Sequence, residues 1–99
     1  MAADPVEVDP KHYRVEFEND RVRVLRVKFG PHEISVMHGH PGGISISLTN
    51  RDLKFTLPNG RVRHLIGRPG EVVWYDAHEH LPENLSSQPY EGIHIELKR

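Results

Sequence analysis

His38 and His40 flank a single glycine, and His80 follows some forty positions later with Asn84 four residues beyond it. The chain has no cysteine, so histidine and carboxylate are its strong metal ligands and any metal site is built from nitrogen and oxygen. Residues two apart on a strand share a face with Cα atoms ~6.6 Å apart, so imidazoles at His38 and His40 can converge on one ion. A third imidazole must arrive from a neighbouring strand, and His80 is the candidate. His38, His40 and His80 are therefore read as a three-histidine metal site. The competing reading is a cluster that is merely polar. His78 shares strand parity with His80, so it is a candidate substitute ligand, or an acid or base beside the metal. Asn84 is a weak donor to such an ion and is assigned to the groups behind the ligands, or to turn stabilisation. Glu83 has the opposite parity and faces away. His32 and Glu33 sit near a turn, and with His12 and His94 they read as surface residues. His64 shares parity with Val62 and Ile66, as an interior or pocket-lining residue would.

The elements that must position these residues are short strands. Tyr13, Val15 and Phe17 alternate with Arg14, Glu16 and Glu18, which marks a half-buried strand closed by a turn at Asn19-Asp20. On the return, Val22 and Val24 have one parity and Leu25, Val27 and Phe29 the other, which predicts a β-bulge near Val24 and Leu25. Arg21, Arg23, Arg26 and Lys28 read as a solvated edge. A strand from about Ile34 to His40 ends at Pro41-Gly42-Gly43, which puts the histidine pair at a strand end. Ile44, Ile46 and Leu48 alternate with Ser45 and Ser47. Pro58-Asn59-Gly60 joins Leu53–Leu57 to Arg61–Ile66 in a hairpin, and Arg68-Pro69-Gly70 precedes the run Val72 to Tyr75. In the last strand Ile93, Ile95 and Leu97 take the buried parity, leaving His94 and Glu96 outward. No helical period persists, and six to nine short strands predict an all-β sandwich or barrel. Phe55 and Trp74 read as core or pocket-wall aromatics.

Ninety-nine residues make one domain, assigned to residues 12–99 behind a flexible, polar arm at 1–11. Thirteen basic and fourteen acidic residues are interspersed, so no charge surplus recruits nucleic acid or an anionic membrane. No apolar run is long enough to span a bilayer, and a cytoplasmic location is the default.

At this point Glu18-Asn19-Asp20-Arg21-Val22-Arg23-Val24, His38-Gly39-His40 and His80-Leu81-Pro82-Glu83-Asn84 together resemble the cupin superfamily, in a small single-domain form covering about Tyr13 to Leu97. The resemblance implies a jelly-roll β-barrel that gathers the histidines at its open end. The departures are informative. Ile44 and Ser45 occupy the positions of the glutamate that usually follows the histidine pair, Gly30 lies further ahead of His38 than is usual, and Tyr75 and Ala77 replace a proline and a glycine. Three neutral imidazoles leave a divalent ion its full charge, which makes it a stronger Lewis acid and favours anionic or chelating ligands. Similarity to three-histidine oxygenases of the superfamily implies Fe(II) first, with Ni, Cu, Zn or Mn as alternatives. The implied activity is a metal-dependent enzyme, dioxygenase-like, on a small organic substrate, with isomerase or lyase chemistry also open. Ser45, Ser47, Phe55 and Trp74 are its expected pocket. The other function class is a noncatalytic module holding a metal or small ligand. An outward face carrying Ile44, Ile46 and Leu48 is expected to pair in a homodimer.

Overall fold

The computed structural model describes residues 3–98, and among them it forms one short helix and nine strands. α1 is Pro5–Val8, β1 Tyr13–Glu18, β2 Val22–Phe29, β3 His38–His40, β4 Gly43–Ser47, β5 Arg51–Thr56, β6 Val62–Gly67, β7 Val72–Tyr75, β8 His78–Asn84 and β9 Tyr90–Leu97. They make two antiparallel sheets, β1-β2-β9-β4-β7 and β3-β8-β5-β6. This is the all-β jelly-roll sandwich that the sequence implies. No helix among the described residues is long and apolar enough to cross a membrane.

Between the sheets lies a small core of Tyr13, Leu25, Val27, Phe29, Leu53, Phe55, Tyr75 and Tyr90. Its aromatic share matters in so small a domain, since each large ring removes 150–250 Å² from water, as is typical of such side chains. β5 shows why the pleat builds this core: Leu53 and Phe55 turn inward while Asp52 and Lys54 turn out. Gly43 allows β4 and β9 to meet, because a Cβ there would lie 2.1 Å from the Ile95 carbonyl oxygen.

Several expectations are corrected. The bulge lies in β1: Val15 pairs with Leu25 and Phe17 with Val24, so Glu16 is the extra residue. β2 runs in unbroken register against β9 from Val22 to Phe29, so the outer strand β1 absorbs the irregularity and Phe17 ends 54% exposed. Because β2 is flanked on both sides, its arginines are not a solvated edge. Arg23 shares the inward parity and bonds Asp4 and Glu96, while Arg26 bonds Glu16 and Glu91. In β9 the inward set is Tyr90, Gly92, His94 and Glu96, the reverse of the apolar parity, and Leu97 is exposed. Of the segment from Ile34 to His40, only His38–His40 forms a ladder; Ile34 makes a single bridge to Glu83.

From Ala3 onward the segment expected as an arm packs against the strands. Asp4 caps α1 by accepting from the Val6 amide at 2.9 Å, and the Ala3 carbonyl accepts from Gly39 N at 2.8 Å, which seats the segment beside β3. His12, expected at the surface, is buried and bridges Asp9 and Glu33, stacked on Phe29 at 4.2 Å.

Candidate metal centre

β3 and β8 pair antiparallel with His38 opposite His80 and His40 opposite His78. The pleat turns His38, His40 and His80 to the inner face, where all three are buried. Their ring centroids stand 4.9, 4.8 and 5.1 Å apart, and one nitrogen from each lies within 4.8 Å of the others. The His38 and His80 Nε2 atoms are 3.1 Å apart. That separation is short enough for both nitrogens to serve as ligands of one ion.

The far side of the rings fixes which nitrogen is free. His38 Nδ1 donates to the Val36 carbonyl at 2.8 Å, and His40 Nδ1 donates to Glu96 Oε2 at 2.7 Å. Both assignments leave Nε2 as a lone-pair donor aimed at the cluster, which is how ligating histidines are oriented. His80 Nδ1 is buried without a partner among the described residues, so only its Nε2 has a role to fill. Burial lowers the pKa of all three, His40 to about 2, and neighbouring histidines push His40 and His80 further down. They stand neutral across physiological pH, the form that binds metal. The donor set therefore fits a divalent transition ion.

The isoleucines beside it assign Glu96 an outward parity, whereas the strand turns it inward. Its Oε1 accepts from Arg23 Nε at 2.8 Å and its Oε2 from His40, so both oxygens are engaged. Although Glu96, His94 and His40 also offer donor atoms within 4.8 Å of one another, this carboxylate orients His40 and is not free to bind an ion itself. At the glutamate positions of the cupin motif, Ser45 faces inward and Ile44 outward. No local signal in the sequence exposes Glu96, since the alternation in its strand is equally regular for either face.

Beside the histidines is a cavity of about 30 Å³, enough for roughly two water-sized groups. His78 and His94 line it, each with an Nε2 that has no partner among the described residues. His78 is half-buried, donates Nδ1–H to the Asp76 carbonyl at 2.8 Å, and lies 4.5 Å from the His80 ring. His94, expected outward, is buried 4.4 Å from the His40 ring, and burial lowers its pKa to about 3. Burial also keeps the Tyr13 phenol, packed against His38, well above its ordinary range and so neutral.

Of the expected pocket residues, Ser45 and Phe55 line the cavity, and Phe55 meets the His80 ring edge-on at 4.2 Å. Ser47 is fully buried but its hydroxyl accepts from Arg51 Nη1 at 3.0 Å, away from the cavity lining. Trp74 is 54% exposed on the outer face with its indole N–H on Asp76, because the inward position of β7 falls to Tyr75. Asn84 is buried and donates to the Gly30 and Gln88 carbonyls while accepting from Ser86 N. It ties loops together and makes no hydrogen bond to the three histidines. His64 is exposed on Asp52, and Glu83 faces Lys54, away from the histidines.

A cupin domain from Bordetella pertussis Tohama I superposes with a TM-score of 0.81, covering 88% of this chain and 92% of its own at 24% identity. The chain has the cupin fold. Two further cupin-like structures match less of their own length. The polyketide cyclase RemF from Streptomyces resistomycificus gives a TM-score of 0.64 at 17% identity over 88% of this chain and 64% of its own. Bacillus subtilis oxalate decarboxylase, described with Mn(II) centres, gives 0.62 at 18% identity over 80% of this chain and 22% of its own. No protein-family model and no curated protein matches the sequence. At these identities the likeness establishes the fold alone, and the chemistry of the chain rests on its own residues.

Proposed function

We propose that this cupin holds one divalent transition metal on the Nε2 atoms of His38, His40 and His80 and acts as a metal-dependent enzyme on a small organic substrate. The observation that carries the reading is the convergence of three neutral imidazoles, two of them with Nδ1 already committed to Val36 and Glu96. Fe(II) is the first choice and dioxygenation the first reaction class. Such an ion, when bound, supplies Lewis acidity toward a chelating enolate or carboxylate and open positions for O₂. The chain's own contribution is geometric. Phe55 and Tyr13 exclude water around the imidazoles, Glu96 holds His40 in one tautomer, and His78 offers an unpaired Nε2 at the cavity wall, where a substrate proton can be accepted. A cytoplasmic setting, which keeps iron ferrous, belongs to the same proposal.

The outer face of the five-stranded sheet supports pairing with a second copy. Phe17, Val24, Ile95, Ile44 and Trp74 form one continuous cross-strand row, with Val72 and Leu97 alongside. Phe17, Val72 and Trp74 are each more than half exposed, and contiguous uncovered apolar surface of this kind marks contact sites. A monomeric sedimentation profile would remove the dimer.

The enzyme reading is tested by O₂ uptake of Fe(II)-loaded protein with a panel of enolisable acids and ketones. Uptake lost in His78→Gln, with metal retained, supports it. Absence of uptake throughout, with ligands bound but unchanged, would replace it with the noncatalytic module, which the small cavity favours.

A further inference from the structure

Arg51 lies at the far end of the cavity from His78, and the metal reading makes no use of it. Among the described residues it is the one lining the cavity with a permanent charge, and its side chain is 4% exposed. A guanidinium withdrawn from water needs compensation by an anion and by hydrogen bonds to its five N–H groups. The compensation here is thin. Nη1 donates to Ser47 Oγ at 3.0 Å and Nη2 to the Ile66 carbonyl at 3.3 Å, both neutral acceptors. Among the described residues the single carboxylate in reach is Glu71, 3.4 Å from Nη2, half in solvent, with its other oxygen accepting from Arg68 N. Nε is buried without any partner among the described residues.

The backbone is shaped around this group. Gly67 is the ladder partner of Arg51, and a Cβ there would lie 2.6 Å from Nη2 and 2.8 Å from Cζ. A guanidinium given a dedicated slot, poorly neutralised and facing a cavity, is arranged as a receptor for a planar anion.

We propose that Arg51 anchors the carboxylate of a short-chain carboxylic acid anion in this cavity, with its unpartnered Nε–H as the donor. The opposite end of the ligand faces the histidines, and this end alone rests on the metal reading above. The cavity sets the size: room for roughly two water-sized groups limits the ligand to the smallest such acids, acetate first.

The test uses metal-free full-length protein and follows the Arg51 side-chain Nε–H resonance while acetate, propionate and pyruvate are added. Acetamide and propionamide, of equal shape and no charge, are the controls. The expected result is a saturable shift of the Arg51 Nε–H by the acids and binding of the amides weaker by roughly tenfold or more. Arg51→Gln abolishes acid binding and Arg51→Lys weakens it. Should Arg51→Gln fail to fold, the acid–amide comparison in the parent protein decides alone. Amides binding as tightly as acids, or acids binding without moving the Arg51 resonance, overturns the proposal. Metal titration of the parent beside His80→Ala separates the two readings: acid binding by a parent that takes up no metal sinks only the metal centre, and metal uptake lost in His80→Ala beside a parent that does not discriminate acids from amides sinks only the anchor.

Discussion

β5 and β9 face each other across the same interior and are polarised in opposite senses. In β5, Leu53 and Phe55 point in and Asp52 and Lys54 point out, as hydrophobic burial dictates. In β9, His94 and Glu96 point in and Ile93, Ile95 and Leu97 point out, and its partner β4 repeats the inversion with Ser45 and Ser47 inside and Ile44 and Ile46 outside. Burying His94 and Glu96 costs free energy that burying isoleucine would not. A sheet that accepts this cost lines the interior with chemistry and leaves its outer side suited to a partner. The exception within β5 is Arg51, the residue on which the anion anchor rests.

Substitutions in the two strands sharpen the contrast. Leu53→Ala, in the conventionally packed strand, is expected to destabilise the fold by about 2–5 kcal/mol in urea unfolding, as core truncations do. A loss below 1 kcal/mol would deny that β5 carries the core. Glu96→Gln keeps the shape but weakens the hold on His40 Nδ1, so metal affinity should fall about 10–100-fold in a competition titration with little change in secondary structure. Unchanged affinity would show that the Glu96 contact does not tune the site.

Acid separates the strands as well. Burial depresses His94, and with it His38, His40 and His80, below the ordinary histidine range. The unfolded chain therefore takes up protons first, and metal-free stability is full above pH about 6.5 and declines as pH falls toward the folded values, near 3 for His94. Each such histidine contributes a slope of about 1.4 kcal/mol per pH unit within that window. Replacing His94 with Gln should remove about one proton from the slope between pH 6 and 5; an unaltered slope would contradict the buried neutral imidazole. The smallest stability effect belongs to the outer row. Ile95→Ala should cost under about 1 kcal/mol in the isolated chain while shifting sedimentation toward monomer, and a loss as large as that of Leu53→Ala would erase the contrast.

Where residue type and period agree, the sequence was easy to read. The His38-Gly39-His40 spacing, the hairpin at Pro58-Asn59-Gly60 and the inward set of β5 all follow from local rules. The inverted strands were not legible, because parity in β9 is equally clean for either face and hydrophobicity selects the wrong one. Trp74 was misplaced by the same assumption, since Tyr75 takes the inward position. The bulge was located to the right rung but the wrong strand, as only the pairing of β2 with β9 shows which strand must stay regular. Arg51 drew no attention because an arginine at a strand start ordinarily reaches solvent.

The central claim is the three-histidine centre, and elemental analysis of the purified and Fe(II)-reconstituted protein beside His38→Ala and His80→Ala tests it most directly. About one ion per chain in the parent, lost in both variants while each keeps its β-sheet spectrum, is the predicted result. A parent that retains no ion with Fe(II), Ni(II), Cu(II), Zn(II) or Mn(II), or variants that bind as the parent does, would contradict it.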